Sequence, residues 1–180
     1  MNEAAIDRAR EAALRLLDRT RKTRQQLERR LADKGFEAPV ATAALDRLAR
    51  VGVVDDVEYA RAYIRSKLAR SAVGLRVIEV QLRARGVSDD DRARALAQLA
   101  ADAERDDGSP VHQAGGAGER ARAERALAPL LRRYRGLDPR ESRARASAAL
   151  LRRGFDYATA RDVIQAARPG APGTGEPADD

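Results

Sequence analysis

The sequence predicts an all-α fold: three tandem three-helix repeats in an elongated, curved array. Three observations carry that reading. Ala, Leu and Arg dominate the 180 residues and favour helix, while aromatics are only 3 % and strand-favouring residues are scarce. Apolar residues recur at helical spacing along most of the chain. A glycine-terminated motif occurs three times.

Taken in order, Ile6 to Leu17 reads as a first helix with Ile6, Ala13, Leu14 and Leu17 on its inward side. Thr23 is the expected N-cap of a second helix through Lys34, which carries Leu27 and Leu31 and stops at Gly35. Pro39 opens a third at its first turn, where a missing N–H costs little, and Ala41, Ala44, Leu45 and Leu48 form its apolar face. Gly52 closes that unit. Asp55 and Asp56 start the next helix, with Ala60, Tyr63, Ile64 and Leu68 inward. A helix from about Leu75 to Arg85 carries Ile78 and Leu82 and ends at Gly86; Ser88 then caps one carrying Leu96 and Leu99. Helix resumes near Glu119, with Leu127, Leu130, Leu131 and Tyr134 inward. Pro139 begins another that ends at Gly154, and Ala160, Val163, Ile164 and Ala167 mark the last.

Leu27-x3-Leu31-x3-Gly35-Phe36, Ile78-x3-Leu82-x3-Gly86-Val87 and Ala146-x3-Leu150-x3-Gly154-Phe155 are one motif in three copies. The first two glycines lie 51 residues apart and the last two 68 apart. The 17-residue excess equals the length of a segment rich in Gly and Asp, 102–118, read as a flexible linker. The organisation expected is therefore repeat 1 over 5–52, repeat 2 over 53–101, the linker, repeat 3 over 119–167, and a disordered Pro/Gly-rich tail over 168–180. Each helix has one apolar stripe, so three must pack to bury a core, and such units stack into arrays. The residue after each glycine (Phe36, Val87, Phe155) is expected to plug the turn.

Catalytic chemistry finds little support. The chain has no Cys, which rules out disulfides and thiolate sites. Its one His, His112, sits in the Gly/Pro-rich linker without a rigid orienting partner. Asp55-Asp56 and Asp89-Asp90-Asp91 read as helix starts rather than acid–base pairs. Gly115-Gly-Ala-Gly118 has neither a preceding strand nor a Lys-Ser/Thr, so it is no phosphate loop. No enzyme, cofactor or metal is expected. No apolar stretch approaches a membrane span, and the amphipathic, acid-bearing N-terminus is not a signal peptide.

Charge is what remains. The formal net charge is +7 and the pI near 10.4, which favours an anionic partner. Only three of the 35 basic residues are Lys, and such an Arg bias also follows from a GC-rich genome. Residues 1–71 carry net +5, 72–107 net −2 and 108–180 net +4. Candidate contacts are Arg21, Lys22, Arg24, Arg29 and Arg30 in repeat 1, Arg76, Arg83 and Arg85 in repeat 2, and Arg143, Arg152 and Arg153 in repeat 3. The basic pair before each turn glycine would lay a basic line along the array, suited to a long phosphate-bearing or acidic surface. The competing reading is a set of solvated helix faces balanced by Glu28, Asp33, Glu79 and Glu141.

Leu48-x3-Gly52-Val-Val-Asp55-Asp56-x2-Tyr59-Ala60-x2-Tyr63, followed by Leu75-x2-Ile78-x3-Leu82-x3-Gly86-Val87, resembles the central signature of the RecX regulatory proteins. Gln26-Leu27-x3-Leu31-x2-Lys34-Gly35-Phe36 resembles the first repeat of that family, and Leu150-Leu151-Arg152-Arg153-Gly154-Phe155-Asp156-Tyr157 its third. The resemblance spans roughly residues 8–167. It implies a bacterial, cytoplasmic protein that binds the RecA recombinase and its filaments on single-stranded DNA; nothing in the sequence points beyond a monomer. It further implies restraint of filament growth, ATP hydrolysis, strand exchange and the co-protease activity that triggers the DNA-damage response. DNA, single-stranded or duplex, is a second expected partner through the basic residues. The linker before repeat 3 departs from the family pattern. The alternative is a direct DNA-binding module of helix-turn-helix type, which would need one dominant recognition helix; none stands out here.

Overall fold

In the computed structural model the described residues are 2–105 and 116–167, and among them only helices occur. They are α1 (Glu3–Leu17), α2 (Arg24–Ala32), α3 (Ala38–Arg50), α4 (Asp56–Arg70), α5 (Leu75–Ala84), α6 (Asp89–Arg105), α7 (Gly116–Arg133), α8 (Pro139–Arg152) and α9 (Tyr157–Ala166). They pack in threes, α1 and α2 on α3, α4 and α5 on α6, α7 and α8 on α9. The α6 and α7 helices run into both ends of the segment read as a linker. His112 and the 168–180 tail lie outside the described residues.

Local chemistry starts each helix where the sequence places it. Thr23 forms a capping box with Gln26: the Gln26 N–H donates to Thr23 Oγ1 and the Thr23 N–H to Gln26 Oε1, both at 3.2 Å. Asp55 accepts from the N–H groups of Val57 (2.8 Å) and Glu58 (3.0 Å), so it is the helix start expected of it. Ser88 Oγ accepts from Asp91 N–H at 3.1 Å, and Asp156 from Thr159 N–H at 2.7 Å. The middle helices end at Gly35, Gly86 and Gly154, with φ of +84°, +85° and +85°. This left-handed region suits glycine, and it lets the next N–H close back on the helix: Phe36 to Leu31 O, Val87 to Leu82 O, Phe155 to Leu150 O.

Each repeat buries its own core. Leu27, Leu31, Ala44 and Leu45 are fully buried in the first, Ala60, Ile78, Leu82 and Ala95 in the second, and Ala123, Ala146, Leu150 and Ala160 in the third. Burying one such leucine stabilises by roughly 1.5–3 kcal/mol. Two inward assignments need correction. Leu14 is 38 % exposed, because Ala9, Ala12 and Ala13 supply the face that packs on α3. Ala167 lies past the end of α9 and is exposed.

The repeats join by one recurring contact. The N-cap of one middle helix meets the residue before the turn glycine of the next repeat. Thr23 Oγ1 donates to the Arg85 carbonyl at 2.6 Å, and the Gly74 N–H donates to the Arg153 carbonyl at 2.9 Å. Thr23 and Gly74 are 51 residues apart, the repeat period. The middle helices therefore meet head to tail, α8 into α5 and α5 into α2, the carboxyl end of one against the amino end of the next. Asp56 strengthens the first junction by accepting the Arg24 N–H at 2.9 Å. Its burial there pushes its carboxyl above the ordinary value, against the Arg24 hydrogen bond.

Candidate partner-binding groove

A groove of about 710 Å³ runs from the α1–α2 connection along the outer face of α2. It gathers Arg21, Lys22, Arg29 and Arg30, four of the expected contacts, and Tyr59 of the second repeat forms part of its wall. Arg21 sits 3.6 Å from Glu58, Arg30 3.6 Å from Asp33, and Arg29 donates to Gln25 Oε1 at 3.0 Å. Both ion pairs are long and exposed, so they cost little to break in favour of an incoming anion.

Tyr59 belongs to a built cluster. Its ring stacks on that of Tyr63, centroids 6.3 Å apart and 9° from parallel. The Arg85 guanidinium lies over the other tyrosine of the pair at 4.6 Å from the Tyr63 centroid, with Lys67 at 5.5 Å. The Tyr63 hydroxyl donates to Gln81 Oε1 at 2.5 Å. Burial pushes the Tyr59 phenol up despite nearby Arg85.

The remaining expected contacts do not join this groove. Arg24 turns to Glu28 (3.1 Å) and Asp46 (2.6 Å) and ties α2 to α3. Arg85 is spent on Tyr63 and on the Gln81 carbonyl, 2.7 Å from its Nη1. Arg83 is exposed and 3.5 Å from Asp89, and Arg76 is exposed on the first turn of α5. In repeat 3, Arg152 shares a hollow of about 360 Å³ with Arg133, Tyr134 and Arg145. Arg143 lines a separate one beside Tyr157 and Arg161, and Arg153 is half-buried. The pairs before the glycines thus do not make one even line. In the second and third repeats the residue next to the glycine folds back on its own repeat, Arg85 onto Tyr63 and Arg153 toward the Ala126 carbonyl at 3.4 Å, whereas Lys34 is exposed, and α5 exposes Val80 between Arg76 and Arg83. Basic surface gathers in the first and third repeats.

Sequence reasoning passed over two buried cations. Arg92, 6 % exposed, donates to the Val87 carbonyl at 2.7 Å and pairs with Asp89, whose carboxyl it holds below the ordinary range. Arg122 is fully buried where repeat 3 meets repeat 2, and burial lowers its pKa although Glu119 opposes this. Nothing in an Arg-rich sequence marks these two as inward. Among the described residues no group of His, Asp and Glu could hold a metal, and no helix is long and apolar enough to cross a membrane.

These features define an α-helical tandem-repeat protein with a basic groove that Tyr59 helps to wall. Residues 9–48, 55–96 and 119–164 match the first, second and third three-helix domains of RecX. The chain belongs to the RecX family. It is 35 % identical over 156 residues to the regulatory protein RecX of Mycobacterium sp. (strain JLS), covering 84 % of this chain and 76 % of that one. With the regulatory protein RecX of Mycobacterium tuberculosis it shares 34 % identity over 162 residues, 88 % and 84 % of the two chains. The crystal structure of RecX from Lactobacillus salivarius has the same fold, with a TM-score of 0.77 at 21 % identity over 92 % of this chain and 97 % of that one. The relatives are named regulatory proteins, not enzymes.

Proposed function

We propose that this chain is a regulator of the RecA recombinase. It binds RecA and its filament on single-stranded DNA, and it inhibits or modulates filament extension, ATP hydrolysis, strand exchange and co-protease function. The setting is cytoplasmic DNA repair, recombination and the SOS response. The observation that carries the reading is the groove. Arg21, Lys22, Arg29 and Arg30 converge on one surface at the joint of two repeats, with Tyr59 beside them. An acidic protein face or a phosphate backbone fits such a surface. The second basic hollow, around Arg133, Arg145 and Arg152, lies in the third repeat. Contacts at two repeats let one monomer bridge neighbouring protomers of a polymer, and avidity then lowers the amount of protein needed. The direct DNA-reading alternative is weaker, because the basic residues are spread over all three repeats and no single helix collects them, while α5 packs Val77 against the third repeat.

The test is a titration of the purified chain into RecA, single-stranded DNA and ATP, following ATP hydrolysis. Inhibition at or below one chain per RecA protomer is expected. No inhibition at a stoichiometric amount overturns the reading, and tight, sequence-selective binding to free DNA would favour the alternative.

A further inference from the structure

The two repeat junctions are plug and socket. The socket is the turn glycine with the carbonyl before it and the apolar residue after it. The plug is the amino-terminal end of the preceding repeat's middle helix. In the second repeat the Arg85 carbonyl is taken by Thr23, and a Cβ on Gly86 would run into the Gln25 side chain. In the third the Arg153 carbonyl is taken by Gly74, and a Cβ on Gly154 would stand 2.6 Å from Val77 N. Val87 and Phe155, the residues behind these glycines, are 2 % and 1 % exposed.

The first repeat has the same socket. Gly35 has the same φ, +84°, and Phe36 closes the turn in the same way. Yet among the described residues nothing lies within 4 Å of where a Gly35 Cβ would stand. No described donor reaches the Lys34 carbonyl, and Phe36 is only half-buried. The other end of the array does not mirror this. Thr23 and Gly74 lie twelve residues before their glycines, but α8 starts one turn earlier, with Asp138 as its cap and Pro139 next. The position equivalent to Thr23 and Gly74, Ser142, is inside a helix that Asp138 already caps by accepting from Arg140 N–H at 2.8 Å. Repeat 3 therefore carries no plug of the kind that fills the two sockets, and a second copy is a poor occupant for the first.

We propose that the open socket at Lys34, Gly35 and Phe36 receives the amino terminus of an α-helix of RecA, an inference that rests on the reading of the chain as a RecA regulator. The incoming N-cap is Gly, Ser or Thr, because only a bare N–H or a short hydroxyl reaches the carbonyl in the two filled sockets. Its first turn is acidic. Arg30 and Lys34 are exposed at the end of α2, and Arg29 and Arg30 carry the groove up to the socket. The partner helix continues the head-to-tail column α8–α5–α2 by one more member.

Gly35→Asn tests this. Asn tolerates a left-handed backbone, the free chain has room for the side chain, and in both filled sockets a Cβ alone is too much. Gly52→Asn is the control, since Gly52 is exposed with φ +73° and bears the same strain away from the socket. The probe is RecA assembled on single-stranded DNA with a non-hydrolysable ATP analogue. Gly35→Asn is expected to weaken binding at least tenfold relative to Gly52→Asn, with equal melting temperatures for the two variants. Equal binding overturns the socket and leaves the regulator reading standing, whereas wild type that fails to bind overturns both. Sedimentation showing self-association that Gly35→Asn abolishes gives the socket to a second copy and overturns the proposal. So does protection of the Gly35 and Phe36 amides from exchange in the free protein that vanishes when residues 168–180 are deleted.

Discussion

Thr23 and Arg85, sixty-two residues apart in the chain, meet at 2.6 Å, hydroxyl to carbonyl, in the seam between the first two repeats. Thr23 is wholly buried and also caps α2. One side chain thus starts a helix and fastens a repeat. Thr23→Val keeps the volume but leaves the Arg85 carbonyl and the Gln26 amide unsatisfied. A loss of about 1–3 kcal/mol is expected in urea unfolding, and Thr23→Ser should recover most of it. Equal stability of the Val and Ser variants would remove the hydroxyl from the seam.

Two glycines of equal backbone geometry should respond differently to alanine. Gly35→Ala and Gly154→Ala both place an L-residue in the left-handed region, at roughly 1–2 kcal/mol each. Only Gly154→Ala also drives a Cβ into the Val77 backbone. A further penalty of about 1–3 kcal/mol is expected there, read as a larger fall in melting temperature and as new proteolytic cleavage between repeats 2 and 3.

Acid should loosen the third repeat through one cap. Asp156 accepts from Thr159 N–H and Oγ1, at 2.7 and 2.8 Å, and these bonds hold its carboxyl below the ordinary 3.8. A depressed folded pKa gives stability that is complete above the unfolded value and is lost as pH falls through the folded one. Asp156→Ala should cost about 1 kcal/mol at pH 7 and flatten the dependence of stability on pH below about 4.

Asp56 should show the opposite sign. Burial raises its pKa, so its charged form opposes folding at neutral pH, and protonation relieves this as pH falls. Asp56→Asn keeps an oxygen for the Arg24 N–H and removes the charge. The variant should be at least as stable as wild type at pH 7 in thermal melts, with the gap closing toward acid.

Charge reversal should separate binding arginines from structural ones. Arg29→Glu with Arg30→Glu is expected to weaken RecA filament binding at least tenfold, more at low salt, with little change in melting temperature. Arg24→Glu should lower the melting temperature instead, because Arg24 sits between Glu28 and Asp46. Filament binding indifferent to the Arg29 and Arg30 changes would remove the groove from the mechanism.

The helices and their order were legible because their signals are local. A capping side chain, a proline in a first turn and a glycine after the last leucine each act within a few residues, as Thr23, Pro39 and Gly35 do. Side-chain destinations were not. Arg85 and Arg29 look alike in the sequence, but Arg85 lies on Tyr63 while Arg29 lines the groove. Leu14 satisfied the helical spacing yet stands outside, because three small alanines let α1 approach α3 on another face.

The all-α class, the three-fold repetition and the 51-residue period follow from the order of residues alone, since apolar spacing and turn chemistry are properties of chain neighbours. How the repeats meet is settled by packing between distant parts of the chain. A junction hydrogen bond joins groups more than sixty residues apart, and no pattern along the chain marks a backbone carbonyl as an acceptor. That is why three glycines identical in the sequence became two filled sockets and one open one.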